Sequence, residues 1–292
     1  MMVRNGAAAW LDAVRPRTLG AGAVPVMVGI SWASRSVTID PGVALLTAVA
    51  ALALQIATNL ANDYYDHRSG IDTAERLGPA RASASGLLEP TSVKHAAYAA
   101  LALAIVVGVA LVARGGVPIL LLGAAAVSCA IAYSAGPAPL ASHGLGEALA
   151  FLFFGVAAVA GTALLQGVAL DAKLVLVALP VAALVTAIML VNNLRDIPTD
   201  RATGKRTLAV RLGDRGSRLA YGTLVAGAFV ALPVAARLAG MRALLPLLLL
   251  PLALVEVRRL WQRQGRALNL SLAGTARLHA LFGVLYALGL LR

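Results

Sequence analysis

Long apolar runs broken by short polar segments dominate the chain. A bilayer core about 30 Å thick needs roughly 20 apolar residues per helix. On that measure the pattern predicts nine spans, near 18–36, 42–63, 94–113, 117–135, 146–166, 172–194, 217–236, 242–260 and 270–290. The runs are continuously apolar rather than alternating, so helices and not barrel strands are the spanning element. Connections are short and no polar block exceeds about 30 residues, which predicts an all-α polytopic membrane protein with one domain over 1–292. Residues 1–17, with Trp10, Arg15 and Arg17 ahead of the first span, read as an interfacial helix rather than a cleavable signal.

Composition agrees with that pattern: 60% of residues are hydrophobic and 13% charged, and the mean hydropathy is +0.82. Those values exclude an ordinary soluble domain of this length. With the N-terminus placed in the cytoplasm, 19 of the 25 Lys and Arg fall in inside segments, the bias expected of nine spans. The net charge of +12 is scattered over several short loops, which fits topology and attraction to anionic membrane lipid and argues against nucleic acid. Cys129 is the only cysteine and lies in an apolar span. An intramolecular disulfide and a multi-cysteine metal site are therefore excluded, and Cys129 reads as a packing residue.

The carboxylates change the picture, because eight of the 13 acidic residues lie in 62–90 and 192–215. Charges at a membrane boundary are expensive unless they bind something. One cluster holds Asn59, Asn62, Asp63, Asp66 and Asp72; the other holds Asn193, Asp196 and Asp200. Asn59, Asn62, Asp63 and Asp66 follow the i, i+3, i+4, i+7 spacing that puts them on one helix face, at the cytoplasmic end of the second span. Like charges that close repel unless a cation sits between them. All-oxygen donors, with only His67 nearby, point to a hard ion such as Mg2+, completed by water and phosphate oxygens. The bland alternative is a solvated helix end capped by Asp and Asn. The second cluster ends the sixth span, and Pro198 between its acids disfavours an unbroken helix there. A basic run follows, Arg201, Lys205, Arg206 and Arg211, so carboxylates that hold a metal stand beside cations suited to a diphosphate.

Asp63 and Asp196 are 133 residues apart, and each cluster is followed by Arg, Gly and Thr. Facing clusters could hold two metal ions against one diphosphate and let an allylic carbon–oxygen bond ionise toward an electron-rich ring. The chain here resembles the UbiA-type superfamily of intramembrane aromatic prenyltransferases, and within it the branch that prenylates 1,4-dihydroxy-2-naphthoate. The resemblance is carried by Arg15-Pro16-Arg17-Thr18-Leu19, by 55–72 continuing into 78–86, by Tyr133-Ser134-Ala135-Gly136-Pro137 with Gly144-Leu145-Gly146-Glu147, and by 192–213.

The resemblance implies nine helices around a central cavity, and a multi-pass protein of the cell's inner (plasma) membrane with a cytoplasmic active site. It implies transfer from a polyprenyl diphosphate to 1,4-dihydroxy-2-naphthoate with loss of diphosphate and CO2. The Mg2+ and diphosphate positions fall on Asn62, Asp63, Asp66, Asp196 and Asp200. Asp72 follows Asp66 by six residues rather than the four of many superfamily members, a spacing associated with the naphthoate branch. Arg81, Lys205 and Arg206 are implied phosphate contacts, Asn59 and Asn193 substrate contacts, and Tyr133 a stabiliser of the carbocation or a guide for the acceptor. The anionic acceptor needs a cation, for which Arg15, Arg17 and Arg81 are all available. Superfamily enzymes acting on 4-hydroxybenzoate, homogentisate or a tetrapyrrole, and a cation-coupled transporter, are the alternatives.

Overall fold

The computed structural model describes residues 6–70, 77–79, 81–136 and 139–292, apart from the side chain of Arg17. Asp72 lies outside the described residues. Within them the chain is helical throughout. A short helix α1 (Gly6–Val14) leads into α2 (Pro16–Ala33), and α3 (Pro41–Arg68) and α4 (Pro90–Ser134) follow. Next come α5 (Gly146–Leu165), α6 (Ala172–Ala202) and α7 (Leu208–Ala239). The helix α8 opens as a 3-10 turn at Met241–Leu249 and continues through Leu250–Gln262. Helix α9 (Leu268–Leu290) closes the bundle.

Among the described residues six helices are long and apolar enough to cross a bilayer. One of them, α4, has 45 residues and is two limbs joined at Gly116, whose φ of 63° a side chain would resist. The limbs fold back on each other, so that Ala97 and Leu101 share a groove with Ala130 and Ile131. With α4 counted as two, and the shorter α2 and the composite α8 included, the nine expected spans are present; α6 runs on to Ala202 past the expected 194, and α7 starts at Leu208 ahead of the expected 217.

Local chemistry sets the helix starts. Asp40 caps α3, accepting from Gly42 N at 2.9 Å and Val43 N at 3.1 Å ahead of Pro41. The Gln166 amide then brackets Asp40, accepting from its N at 2.8 Å and donating to its O at 3.2 Å, which ties the start of α3 to the end of α5. Asp171 caps α6 through Leu174 N at 2.9 Å.

Helix α6 is the axis of the fold. Its apolar window is 78% buried, against 22–44% in the other membrane-length helices. Val177, Val181 and Leu184 are fully enclosed, and α6 packs on α7 and α9. Close approach to α5 depends on Gly155, where an added Cβ would lie 2.2 Å from Ala182 Cβ. We expect Gly155→Leu to lower stability by about 1–3 kcal/mol, read as a lower Tm of the detergent-purified protein. An unchanged Tm would mean that α5 and α6 do not pack as closely as described. Glu256 on α8 is buried and accepts from Arg259 Nη1 at 2.8 Å.

Candidate active site

The C-terminal ends of α3 and α6 meet, and Asp66 is where they join. Its Oδ2 accepts from Arg81 Nη2 at 3.0 Å, and its Oδ1 lies 3.5 Å from Lys205 Nζ. Arg81 comes from the segment after α3 and Lys205 from the loop after α6, so one carboxylate binds a cation from each half of the chain. The two clusters separated in sequence are therefore one site.

Asparagines of α3 hold the site's edges. Asn59 is buried and donates to Val14 O and Thr18 Oγ1, both at 2.9 Å. That pins the α1–α2 junction, where Arg15 adopts a left-handed φ of 57° and borders the cavity. Asn62 accepts through Oδ1 from the Ser134 hydroxyl at the end of α4. Asp63 faces elsewhere: it is 1% exposed, is absent from the cavity wall, and accepts from Ala82 N at 3.0 Å and Ser83 N at 2.9 Å. Charge-assisted bonds of that kind hold the segment that carries Arg81.

The second cluster is organised by Arg195, inside the last turns of α6. It is 2% exposed. Its Nε and Nη2 donate to Asp196 at 2.7 and 2.5 Å, a bidentate pair. Nη2 also donates to Asn192 Oδ1 at 3.0 Å, and Nη1 donates to Asn269 Oδ1 on α9 at 2.8 Å. Asn269 Nδ2 in turn donates to Leu77 O at 2.9 Å. Asp200 accepts from Thr207 Oγ1 at 3.4 Å, and Thr207 caps α7. Despite Pro198, α6 runs unbroken past both acids. Pro198 lies within four residues of Asp196 and Asp200, and the helix tolerates it at its last turns.

Reading along the chain assigned no role to Arg195 or Asn269, and named Glu147 only within the Gly144-Leu145-Gly146-Glu147 motif. For Arg195 a signal existed, since a cation directly beside Asp196 can serve it. Asn269 carried none, being one polar residue in an apolar helix far along the sequence. Glu147 accepts from Asn193 Nδ2 at 2.9 Å. Tyr133 borders the cavity, its hydroxyl donating to Met189 Sδ at 3.6 Å. Arg206 is exposed and outside the cavity wall; its backbone N donates to Ser142 O at 2.8 Å. His67 is exposed at the end of α3.

The cavity beneath these groups holds about 630 Å³. Its mouth carries Arg15, Asn62, Asp66, Arg81, Asn192, Asn193, Asp196, Asp200 and Lys205, and its body is apolar, with Val26, Leu54, Val127, Phe153, Phe154 and Val185 among the walls. A charged mouth over an apolar body suits an amphiphile with an anionic head. Among the described residues no three acids, histidines or cysteines converge tightly enough to enclose a metal ion alone. Three carboxylates and several amides do share the mouth with cations. That oxygen-only donor set fits a hard cation which takes one or two carboxylates and draws its remaining ligands from phosphate and water.

The UbiA prenyltransferase family model matches residues 22–282. A 1,4-dihydroxy-2-naphthoate octaprenyltransferase of Escherichia coli is 39% identical over 77% of this chain and 75% of its own. The protein of the same name from Haemophilus influenzae is 31% identical over 99% of this chain and 98% of its own. Among solved structures, a UbiA homolog from Archaeoglobus fulgidus bound to DMAPP and Mg2+ superposes with a TM-score of 0.66 at 17% identity, covering 96% of this chain and 98% of the other. The apo UbiA homolog from Aeropyrum pernix K1 gives a TM-score of 0.68 at 17% identity, over 92% and 96% of the two chains. The chain belongs to the UbiA prenyltransferase family.

Proposed function

We propose that the protein transfers a polyprenyl group from an all-trans polyprenyl diphosphate to 1,4-dihydroxy-2-naphthoate, releasing diphosphate and CO2 and giving demethylmenaquinol. The observation that carries this reading is the meeting of Asp66 with Arg81 and Lys205 over an apolar cavity. Relatives that bear the name of the naphthoate reaction, matched over 77% and 99% of this chain, support the acceptor.

The apolar body takes the prenyl chain and the charged mouth takes the diphosphate. Lys205 and Arg81 neutralise phosphate oxygens as the allylic carbon–oxygen bond breaks and the diphosphate leaves with the bonding pair. Asn62, Asp66, Asp196 and Asp200 are the residues that would hold Mg2+, which supplies further neutralisation of the leaving group when bound. Asp63 keeps the Arg81 segment in place through its backbone bonds. Tyr133 stands on the wall where the acceptor ring must approach, and Arg15 supplies a cation for its carboxylate. The ring carbon that bears the carboxylate bonds to the allylic carbon, and the pair from its bond to the carboxylate restores aromaticity as CO2 departs. Enclosure in an apolar cavity keeps water from capturing the cation. The bias of Lys and Arg supports a cytoplasmic orientation for this end of the bundle in the plasma membrane.

The test supplies the purified protein with Mg2+, a long polyprenyl diphosphate and either 1,4-dihydroxy-2-naphthoate or 4-hydroxybenzoate, followed by mass analysis of the lipid extract. Prenylated naphthoate lacking its carboxyl group is the expected product. Product from the benzoate alone would overturn the acceptor.

A further inference from the structure

Asn192 and Asn193 are neighbours on α6 and both border the cavity, yet buried ions of opposite sign hold their amides in opposite senses. The Arg195 guanidinium has donors only, so it takes the carbonyl end of Asn192, at 3.0 Å. Glu147 is 4% exposed and sits in the first turn of α5, where the helix dipole favours a carboxylate. An ionised carboxylate only accepts, so it takes the amino end of Asn193, at 2.9 Å. Flipping either amide would set oxygen against carboxylate or amino group against guanidinium. What is left for the cavity follows: Asn192 offers an amino group and Asn193 a carbonyl oxygen.

We propose that this opposed pair sorts the two substrates: the Asn192 amino end donates to a diphosphate oxygen, and the Asn193 carbonyl accepts from a ring hydroxyl of the acceptor. Glu147 is then a positioning residue for the acceptor. The inference rests on the prenyl-transfer reading above. Asn192 shares Arg195 with Asp196, which places it at the charged mouth. Asn193 belongs to the wall around Tyr133: a Cβ on Gly146 would lie 3.2 Å from Tyr133 Oη and 3.7 Å from Asn193 Nδ2. A hydrogen bond from a ring hydroxyl to a carbonyl raises electron density in the ring, the property its carbon nucleophile needs. A site with a committed acceptor also discriminates against analogues lacking the hydroxyl.

The test measures KM for each substrate with the full-length protein, Mg2+, a polyprenyl diphosphate and 1,4-dihydroxy-2-naphthoate. Asn193→Asp sets two carboxylates face to face and is expected to raise the naphthoate KM about tenfold, with the prenyl diphosphate KM within about twofold. Adding Glu147→Gln to that variant restores the naphthoate KM, because the Gln amino end now donates to the new carboxylate and leaves an oxygen turned to the cavity. Asn192→Asp instead raises the prenyl diphosphate KM. Failure of the double variant to recover, or a rise in the prenyl diphosphate KM in Asn193→Asp, overturns the proposal. Should Asn193→Asp not fold, Glu147→Gln alone decides: Gln accommodates either end of the amide, so the naphthoate KM alone rises, and no change refutes the inference. Wild-type turnover separates the two layers, since without it the prenyl-transfer reading itself falls.

Discussion

Changing Asp66 to alanine is expected to lower the rate of prenyl transfer about 100- to 1,000-fold while leaving the protein folded. Asp66 forms ion pairs with cations from both halves of the chain, Arg81 at 3.0 Å and Lys205 at 3.5 Å. Its removal takes a shared carboxylate from two cations at the mouth and deletes an oxygen donor for the metal. The side chain is 17% exposed and sits at the rim, so its loss opens no cavity in the packed core. Single-turnover rates at saturating substrate separate this effect from weakened binding. Asp66→Asn keeps the shape and one acceptor oxygen but not the charge, and is expected to fall nearly as far. A rate within tenfold of wild type in both variants would remove Asp66 from the chemistry.

Arg195→Leu is expected to have the largest effect on stability. Removing one member of a buried, hydrogen-bonded ion pair leaves the other charge uncompensated, at a cost of about 3–5 kcal/mol. Here Asp196, Asn192 and Asn269 all lose their partner together, and through Asn269 the contact with Leu77 loosens as well. Activity and Tm should fall together. Arg195→Lys keeps the charge but cannot span three partners with one planar fork, so it is expected to recover Tm in part and activity less. A leucine variant with wild-type Tm would show that the network does not hold the end of α6.

Much of this architecture is written in local pattern. Spans of about twenty apolar residues announce helices whatever their neighbours, and Gly116 followed by Pro118 separates the two limbs of α4 where the hydropathy dips at Arg114. The joining of Asp66 with the Asp196 region was legible too, because isolated acids at two helix ends in so apolar a chain need a shared reason. Pairwise geometry was not legible. The i, i+3, i+4, i+7 spacing places Asp63 beside Asp66 on one face, but positions three apart still diverge by about 60° around a helix of 3.6 residues per turn. That divergence turns Asp63 to the backbone of Ala82 and Ser83. Asn269 lies 74 residues from Arg195, and no periodicity links them; only the packing of α9 beside α6 does.

In the proposed reaction both clusters grip one diphosphate together. Equilibrium binding of a non-transferable polyprenyl thiodiphosphate tests it, measured with and without Mg2+ for the wild type, Asp66→Asn and Asp196→Asn. Tight, Mg2+-dependent binding by the wild type is expected, with at least about tenfold weaker binding by either single variant. Equal affinity in all three proteins, or binding indifferent to the metal, would contradict the shared grip.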